Sequence, residues 1–471
     1  MKPRLLLAAM AVLTFATTAA QLALAQATIS FAQLNGTVVD TGGRAIAKAS
    51  ITLREVDTNQ IHSTTSSESG FFVLPTLPPG PYDLVVTAGA FGKYTQRGIN
   101  LSVGQTASVN VVMKVASVTE TINVTTEAPV VETTRTEISQ VIDTQQIQSL
   151  PVSGRLFTDF ALLTPGVATG RTSLGTTFTE FEITQISFGG MRSFSNEVTV
   201  DGADFINAQT GVQRATPPQE SVQEFRVVNN SFGNEYGRAL GGIVNVVTKS
   251  GTNNLHGSIY DYLQNSALDS RSLLQPRPTP FALRQNQFGV TLGGPIRKDK
   301  TFFFLNYEAV RRGEAPILPA DFRINFAAIN QAKAYLGIPG EDPNPTKTKD
   351  NDYGFVRLDH QVSSNNRLVV RYNVEDARDL KQLVGNTEDG GGIGVPSGGR
   401  DLFIRDQSVV GTLNTLVTPL LANTVLAQYT RRHYNFPGAT GEPNLDIPND
   451  LSFGHNFGHS RCDFREPRPI F

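Results

Sequence analysis

The stretch Arg367 to Glu375, RLVVRYNVE, keeps all its charged and amide side chains on one parity. Leu368, Val370, Tyr372 and Val374 fall on one side of an extended strand, and Arg367, Arg371, Asn373 and Glu375 on the other. Burying successive charges without partners is too costly for an ordinary core. Such a strand has to form a boundary between an apolar and a polar region. Two architectures offer one: the wall of a transmembrane β-barrel, with lipid outside and a polar lumen inside, and the face of a soluble β-sandwich, which alternates equally well. Thr301 to Ala309 repeats the pattern, with Phe303, Leu305, Tyr307 and Ala309 set against Asn306 and Glu308. Weaker strands are read at Ser258 to Gln264, Gln287 to Gly293, Tyr353 to Asp359, Arg405 to Asn414 and Thr424 to Arg432.

Composition narrows the choice. The 471 residues carry 40 Lys and Arg against 42 Asp and Glu, a net charge of −2, which excludes a strongly basic nucleic-acid binder. One Cys excludes a disulfide scaffold and a CxxC-type zinc module. Residues 1–25 read as a secretory signal peptide: Lys2 and Arg4 are basic, Leu5 to Phe15 is apolar, and Ala23-Leu24-Ala25 suits cleavage. The alternative is a buried first helix. No later run approaches the roughly 20 apolar residues of a spanning helix, so any membrane crossing would use strands.

Residues 30–114 hold short β-rich runs between turn signals: GTVVD, ASITL, FFVL, LPPGPYDLVVTA and ASVNVVM. Runs spaced by turns predict a small β-sandwich. GTVVDTGGRAIAKASITL, SGFFVL and LPPGPYDLVVTA together resemble the carboxypeptidase regulatory-like domain, which implies a prealbumin-like, carbohydrate-binding-like sandwich. That domain is an accessory module and implies no peptidase activity.

Residues 115–130 read as a polar linker that ends at Pro129. Within it Val118, Thr119, Glu120, Thr121, Ile122, Asn123 and Val124 alternate, and this run is a candidate for strand addition to another protein's sheet edge. The plainer reading is a linker or a last sandwich strand. Residues 131–250 mix helix and strand signals. A helix begins at Asp143 or Thr144 and stops at Pro151, and a second short helix is expected over Arg155 to Val167. A hairpin turns at Asp201-Gly202, and strands follow at Ser221 to Phe232 and Ile243 to Val247.

LPVSGRLFTDFALLTPGV, FGGMRSFSNEVTVDGAD, SVQEFRVVNNSFGNEYGRALGGIVNVVTKSGTN and LGGPIRKDKTFFFLNYE resemble, in this order, the plug and first barrel strands of TonB-dependent outer-membrane receptors of the Oar-like type. The resemblance implies a mostly β chain: an N-terminal prealbumin-like β-sandwich, an α+β plug domain, and an antiparallel transmembrane β-barrel over 251–471. It implies TonB as partner, with its inner-membrane energising complex, and outer-membrane lipid around the wall. Substrates of such receptors include siderophore-like molecules and carbohydrate. Val118 to Val124 is the nearest match to the TonB-contact segment. The implied place is the cell outer membrane, with sandwich and plug on the periplasmic side.

About seven strands are countable after the plug, whereas plugged transporters need roughly 22. An open sheet would expose unpaired backbone to lipid. The expectation is therefore an incomplete barrel, the front part of a receptor. Pro467 and Pro469 argue against a closing strand near the end.

Other constellations give way to simpler readings. His455, His459 and Cys462 have ligand-like spacing but no fourth ligand, so no metal is expected. Lys249-Ser250 lacks the glycine that a phosphate loop needs, and GRALGG lacks a βαβ context. Asp201 and Asp204 form a conceivable acid–base pair, but the turn accounts for Asp201. Arg155, Arg192, Arg238 and Glu235 are candidates for plug–wall ion pairs, with solvated surface charge as the bland reading. No catalytic residue, cofactor or nucleic-acid partner is expected. The competing function is a secreted binding protein whose sandwich holds a glycan or protein.

Overall fold

The computed structural model describes residues 30–115, 122–124, 138–150, 152, 155–169, 186–192, 195–206, 214, 217–229, 237, 239–268, 283–315, 320–382, 393–394, 397, 400–418, 421–435, 445–447, 451–453 and 461–468. The expected signal peptide lies outside them.

Eight strands build the N-terminal sandwich: β1 (Ala32–Asp40), β2 (Ser50–Glu55), β3 (Ile61–Thr65), β4 (Phe71–Leu77), β5 (Gly80–Thr87), β6 (Tyr94–Leu101), β7 (Thr106–Met113) and β8 (Ile122–Val124). One sheet has the order β4-β1-β7 and the other β3-β2-β5-β6-β8. Alternate residues of each sheet meet in one core that includes Leu34, Val38, Ile51, Leu53, Phe72, Leu84, Val86 and Val111. The sequence runs noted above lie in β1, β2, β4, β5 and β7. The more polar β3 and β6 were not legible, because their apolar residues are fewer and flank polar ones. Gly36 lets β1 approach β7: a Cβ there would stand 1.8 Å from the Val109 carbonyl oxygen and 2.8 Å from the Phe72 ring. Gly70 turns with φ +76°.

The next unit contains β9 (Ile138–Ile142), α1 (Thr144–Ser149), a 3-10 turn over Phe157–Leu163, β10 (Val167–Thr169), β11 (Ile186–Phe188), β12 (Glu197–Val200), β13 (Ala203–Asp204), β14 (Val222–Asn229) and β15 (Gly242–Thr248). Its main sheet has the order β13-β12-β15-β14-β9. Asp143 caps α1 in a reciprocal box with Gln146, as its position suggested. The second helix is 3-10 rather than α, and ends before Pro165. Every residue of β15 is buried, which suits its Val- and Ile-rich run, and the one amide within it, Asn245, accepts from the Thr199 hydroxyl. Phe157, Phe160, Phe188, Phe225, Val227, Val244 and Val246 belong to a core separate from that of the sandwich.

The third unit is one antiparallel sheet of eight strands in sequence order: β16 (His256–Asn265), β17 (Leu283–Arg297), β18 (Thr301–Glu314), β19 (Lys347–Ser363), β20 (Asn366–Gln382), β22 (Arg400–Thr418), β23 (Leu421–Asn435) and β26 (Arg461–Arg468). Short strands β21 (Ile393–Gly394), β24 (Leu445–Ile447) and β25 (Leu451–Phe453) form a small separate sheet. All seven expected strands are present, each longer than its sequence signal. The charges that mask their ends sit in ladders that neighbouring strands pair. The eighth, β26, contains Pro467 despite the expectation that proline would spoil it. It is an edge strand, where a missing N–H need not break a ladder bond. Connections of two or three residues join the strands at one end, as at 298–300 and 364–365, and long connections join them at the other. The connection after β18 carries α2 (Ala320–Tyr335), within a polar Gly- and Pro-bearing stretch, 313–352, whose composition reads as a loop. In it the buried Lys333 bonds Glu341 Oε1 at 2.9 Å and Ser397 Oγ at 3.2 Å, which ties two long connections together.

Substituting Gly36→Ala is expected to overpack the β1–β7 contact and cost the sandwich about 1–3 kcal/mol. Gly89→Ala, with nothing within 4 Å of the new Cβ, is expected to stay within about 0.5 kcal/mol. Thermal unfolding of the two variants checks the contrast.

The seam between plug and wall as the candidate functional site

The wall has two unlike faces, as Arg367 to Glu375 required. Outward side chains include Leu292, Leu305, Tyr307, Val356, Leu358, Val370, Val409, Leu413 and Tyr429, all more than a third exposed. Inward ones include Asn306, Glu308, Arg357, Asp359, Arg371, Asn373, Asp406, Ser408 and Arg432, all buried. What buries them is the second unit, whose sheet is wedged against this polar face.

The closest fit is built around the β12–β13 hairpin. Its turn residue Asp201 has φ +49°, a left-handed conformation that aspartate tolerates better than branched residues. Asp201 Oδ1 accepts from the Thr248 amide at 3.0 Å, and Oδ2 accepts from the Thr248 hydroxyl at 2.9 Å. The carboxylate is thereby held at the rim of the plug sheet. Two wall arginines meet it there: Arg371 Nε lies 3.0 Å from Oδ2 and Arg357 Nη1 lies 3.4 Å from Oδ1. Arg357 also donates to the Thr248 carbonyl at 2.8 Å, and Arg371 to the Val200 carbonyl at 3.1 Å. Asp359 accepts a fork from Arg357 at 2.8 and 3.0 Å and a further bond from Arg367 at 2.9 Å. The cluster thus holds three guanidinium groups against two carboxylates.

Further seams reinforce it. Arg214 of the plug pairs with Asp406 of β22 at 2.6 Å, and Arg432 stands 3.5 Å from the same carboxylate. Asn306 donates to the Ser221 hydroxyl at 2.9 Å, and Gln428 to the Asp204 carbonyl at 2.8 Å. Arg155 pairs with Glu220 at 2.7 Å and lies over the Tyr262 ring, 3.8 Å from its centroid. Burial pulls the Lys249 ammonium below its ordinary pKa, and Glu220 at 3.6 Å works against that shift.

A plug-side carboxylate also faces the sandwich. Glu224 on β14 is buried and its Oε1 accepts from the Val103 amide. Burial pushes its pKa up to about 7, and Asp143 adds to the rise, while the Val103 bond and Arg226 oppose it. At the far end of the sandwich core, burial pushes Glu55 up against the pull of Arg367. Burial and Arg367 together lower His62 to about 4.

Among the sequence candidates, Arg155 does reach the wall, through an aromatic ring. Arg238 and Glu235 lie outside the described residues. Asp201 is a turn residue, as expected, and also the main ion-pair partner, which the sequence did not disclose. Arg357, Asp359, Arg214 and Asp406 were not singled out; the one available signal was charge at every second position of a strand. Of the candidate TonB-contact run, Ile122, Asn123 and Val124 pair in parallel with Tyr94, Thr95 and Gln96 of β6. Val118, Thr119, Glu120 and Thr121 lie outside the described residues. His455 and His459 also lie outside them, and among the described residues no group of three His, Cys, Asp or Glu side chains could hold a metal.

Comparison with known proteins agrees with this layout. Residues 33–114 match the carboxypeptidase regulatory-like domain, and residues 247–320 match the outer membrane beta barrel domain. The TonB-dependent transporter Oar of Myxococcus xanthus is 28% identical over 288 residues, 58% of this chain and 26% of Oar. Over somewhat more than half of its length the chain is similar in sequence to TonB-dependent outer-membrane receptors. The probable TonB-dependent siderophore receptor PirA of Acinetobacter baumannii is 27% identical over 286 residues, 56% of this chain and 35% of PirA. The crystal structure of PirA aligns with 66% of this chain and 43% of its own, at 19% identity and a TM-score of 0.44. The chain therefore spans about a third or less of the curated relatives it matches.

Asp201→Asn is expected to leave Arg357 and Arg371 short of a buried counter-charge and to weaken the plug–wall contact by about 3–5 kcal/mol. The urea concentration at which plug and wall separate, followed by protease sensitivity of the plug, checks this. The Glu224 carboxyl titrates higher when folded than the ordinary 4.5. Its contribution is therefore fully present below about pH 4.5 and lost as pH rises through about 7, on the order of 3 kcal/mol over that interval. Urea midpoints at pH 5 and pH 8, for the parent chain and Glu224→Gln, report it: the variant is expected to lose this part of the pH dependence.

Proposed function

We propose that this chain is the front part of a TonB-dependent outer-membrane receptor that moves a bulky substrate with energy delivered by TonB. The observation that carries the reading is the buried Asp201–Arg357–Arg371 cluster, which seats an α+β plug on the polar face of an antiparallel wall. A buried ion cluster of this kind has a defined closed arrangement and can be released as a unit, which suits a plug that must move. The apolar outer face of the wall, with Leu305, Val356, Val370 and Val409 exposed, suits lipid.

In this reading residues 1–25 are a cleaved signal peptide. Sandwich, plug and the short strand turns face the periplasm, and the long connections face outward. The edges β16 and β26 expose backbone that lipid cannot satisfy, so further strands complete the barrel. Val118 to Val124 is the TonB-contact segment; the pairing of Ile122–Val124 with β6 supports its ability to add as a strand. The substrate class is siderophore-like or carbohydrate. The similarity to PirA, a probable siderophore receptor, favours the first.

Fractionation tests the location. The chain is expected in the outer membrane, extractable by detergent and not by high salt; recovery in the soluble periplasmic fraction would overturn the reading. Photo-crosslinking from position 120 tests the partner. An adduct with the periplasmic domain of TonB is expected, and its loss on Ile122→Pro, with the chain still in the membrane, would be consistent with strand addition.

A further inference from the structure

The sandwich is fastened to plug and wall together, and at the point where one chain segment passes from one to the other. The tip between β2 and β3 reaches the short turn between β17 and β18. Asn59 donates to the Asp299 carboxylate at 3.0 Å, and Gln60 to the Asp299 carbonyl at 2.5 Å. Asn253, between the plug's last strand and β16, donates its amide to the Asp57 carbonyl at 2.9 Å. Asn253 also exchanges two bonds of 2.8 Å with Asp299. The three segments therefore form one hydrogen-bonded knot.

A second fastening lies on the plug. Besides the Val103–Glu224 bond, Arg226 donates to the Val103 carbonyl at 3.4 Å, and Gln223 to the Pro79 carbonyl at 3.1 Å. Sandwich and plug nevertheless keep separate apolar cores. Their contact is polar, like that of domains that part and rejoin, and opening it exposes neither core.

We propose that the sandwich is a releasable clamp: while docked it holds the plug against the wall, and its undocking is the step that lets the plug leave. The clamp bridges plug and wall at the Asn253–Asp299 knot and grips the plug at Val103 and Pro79. It stands apart from the identity of the substrate and from the TonB-contact assignment.

The experiment uses the full chain in isolated outer membranes, with Cys462→Ser removing the native thiol. Ser221→Cys then places a reporter at a buried plug residue whose side chain bonds wall residue Asn306. Labelling by a water-soluble maleimide reads the rate at which the plug leaves the wall. In the parent, labelling is expected to be slow. Loosening the clamp from the sandwich side, with Asn59→Gly and Gln60→Ala together, is expected to speed it at least ten-fold. Gln223→Ala, which leaves the sandwich sequence intact, is expected to speed it in the same direction. Protease resistance of residues 30–115 confirms that the sandwich remains folded in each. Unchanged labelling in both variants would overturn the proposal, as would fast labelling in the parent.

Discussion

The carboxylate of Asp201, set between Arg357 and Arg371, is the contact around which the rest is arranged. The two arginines stand on neighbouring wall strands, and both are buried. Neither can be left there without a partner, because the cost of an unpaired buried guanidinium exceeds that of most single contacts in a fold. The hairpin that carries Asp201 must therefore sit where it does, with its carboxylate oriented by Thr248. That requirement sets the place of the plug sheet against the wall. It also explains why polar residues dominate the inward face over several strands.

The same polarity makes the assembly divisible. Sandwich, plug and wall each bury their own apolar residues, and the seams between them are largely hydrogen bonds and ion pairs. A seam of this kind exchanges protein partners for water when it opens, whereas a merged apolar core would resist opening in proportion to its area. Glu224, which accepts from the Val103 amide, places an ionisable group at the boundary between sandwich and plug. The sandwich is thus linked to the plug and wall at a surface that can change state.

Much of the architecture was legible. Alternation in Arg367 to Glu375 and in Thr301 to Ala309 marks both the strands and their outward faces, and the structure places those side chains accordingly. Asp143 marks the start of α1, and Asp201-Gly202 marks the hairpin turn. Other elements were hidden for physical reasons. β3 and β6 are too polar to show a clean period, α2 lies in a segment that reads as loop, and β26 tolerates a proline because it is an edge strand. The candidate site was legible only in outline. Arg371 was recognisable as a charge on an inward face, but nothing in its neighbours points to Asp201, 170 positions earlier in the chain.

By itself the sequence determined which face of each strand is apolar, where the turns fall and where charge must be kept from lipid. These are local matters, decided by period-two spacing and by the conformational limits of Gly, Pro and Asp. Only the tertiary structure decided which charges pair, because an ion pair depends on distance in space and the partners come from three separate folding units. The pairing of Asp201 with Arg357 and Arg371, and the reach of Asn59 to Asp299, exist only once plug and sandwich are seated against the wall.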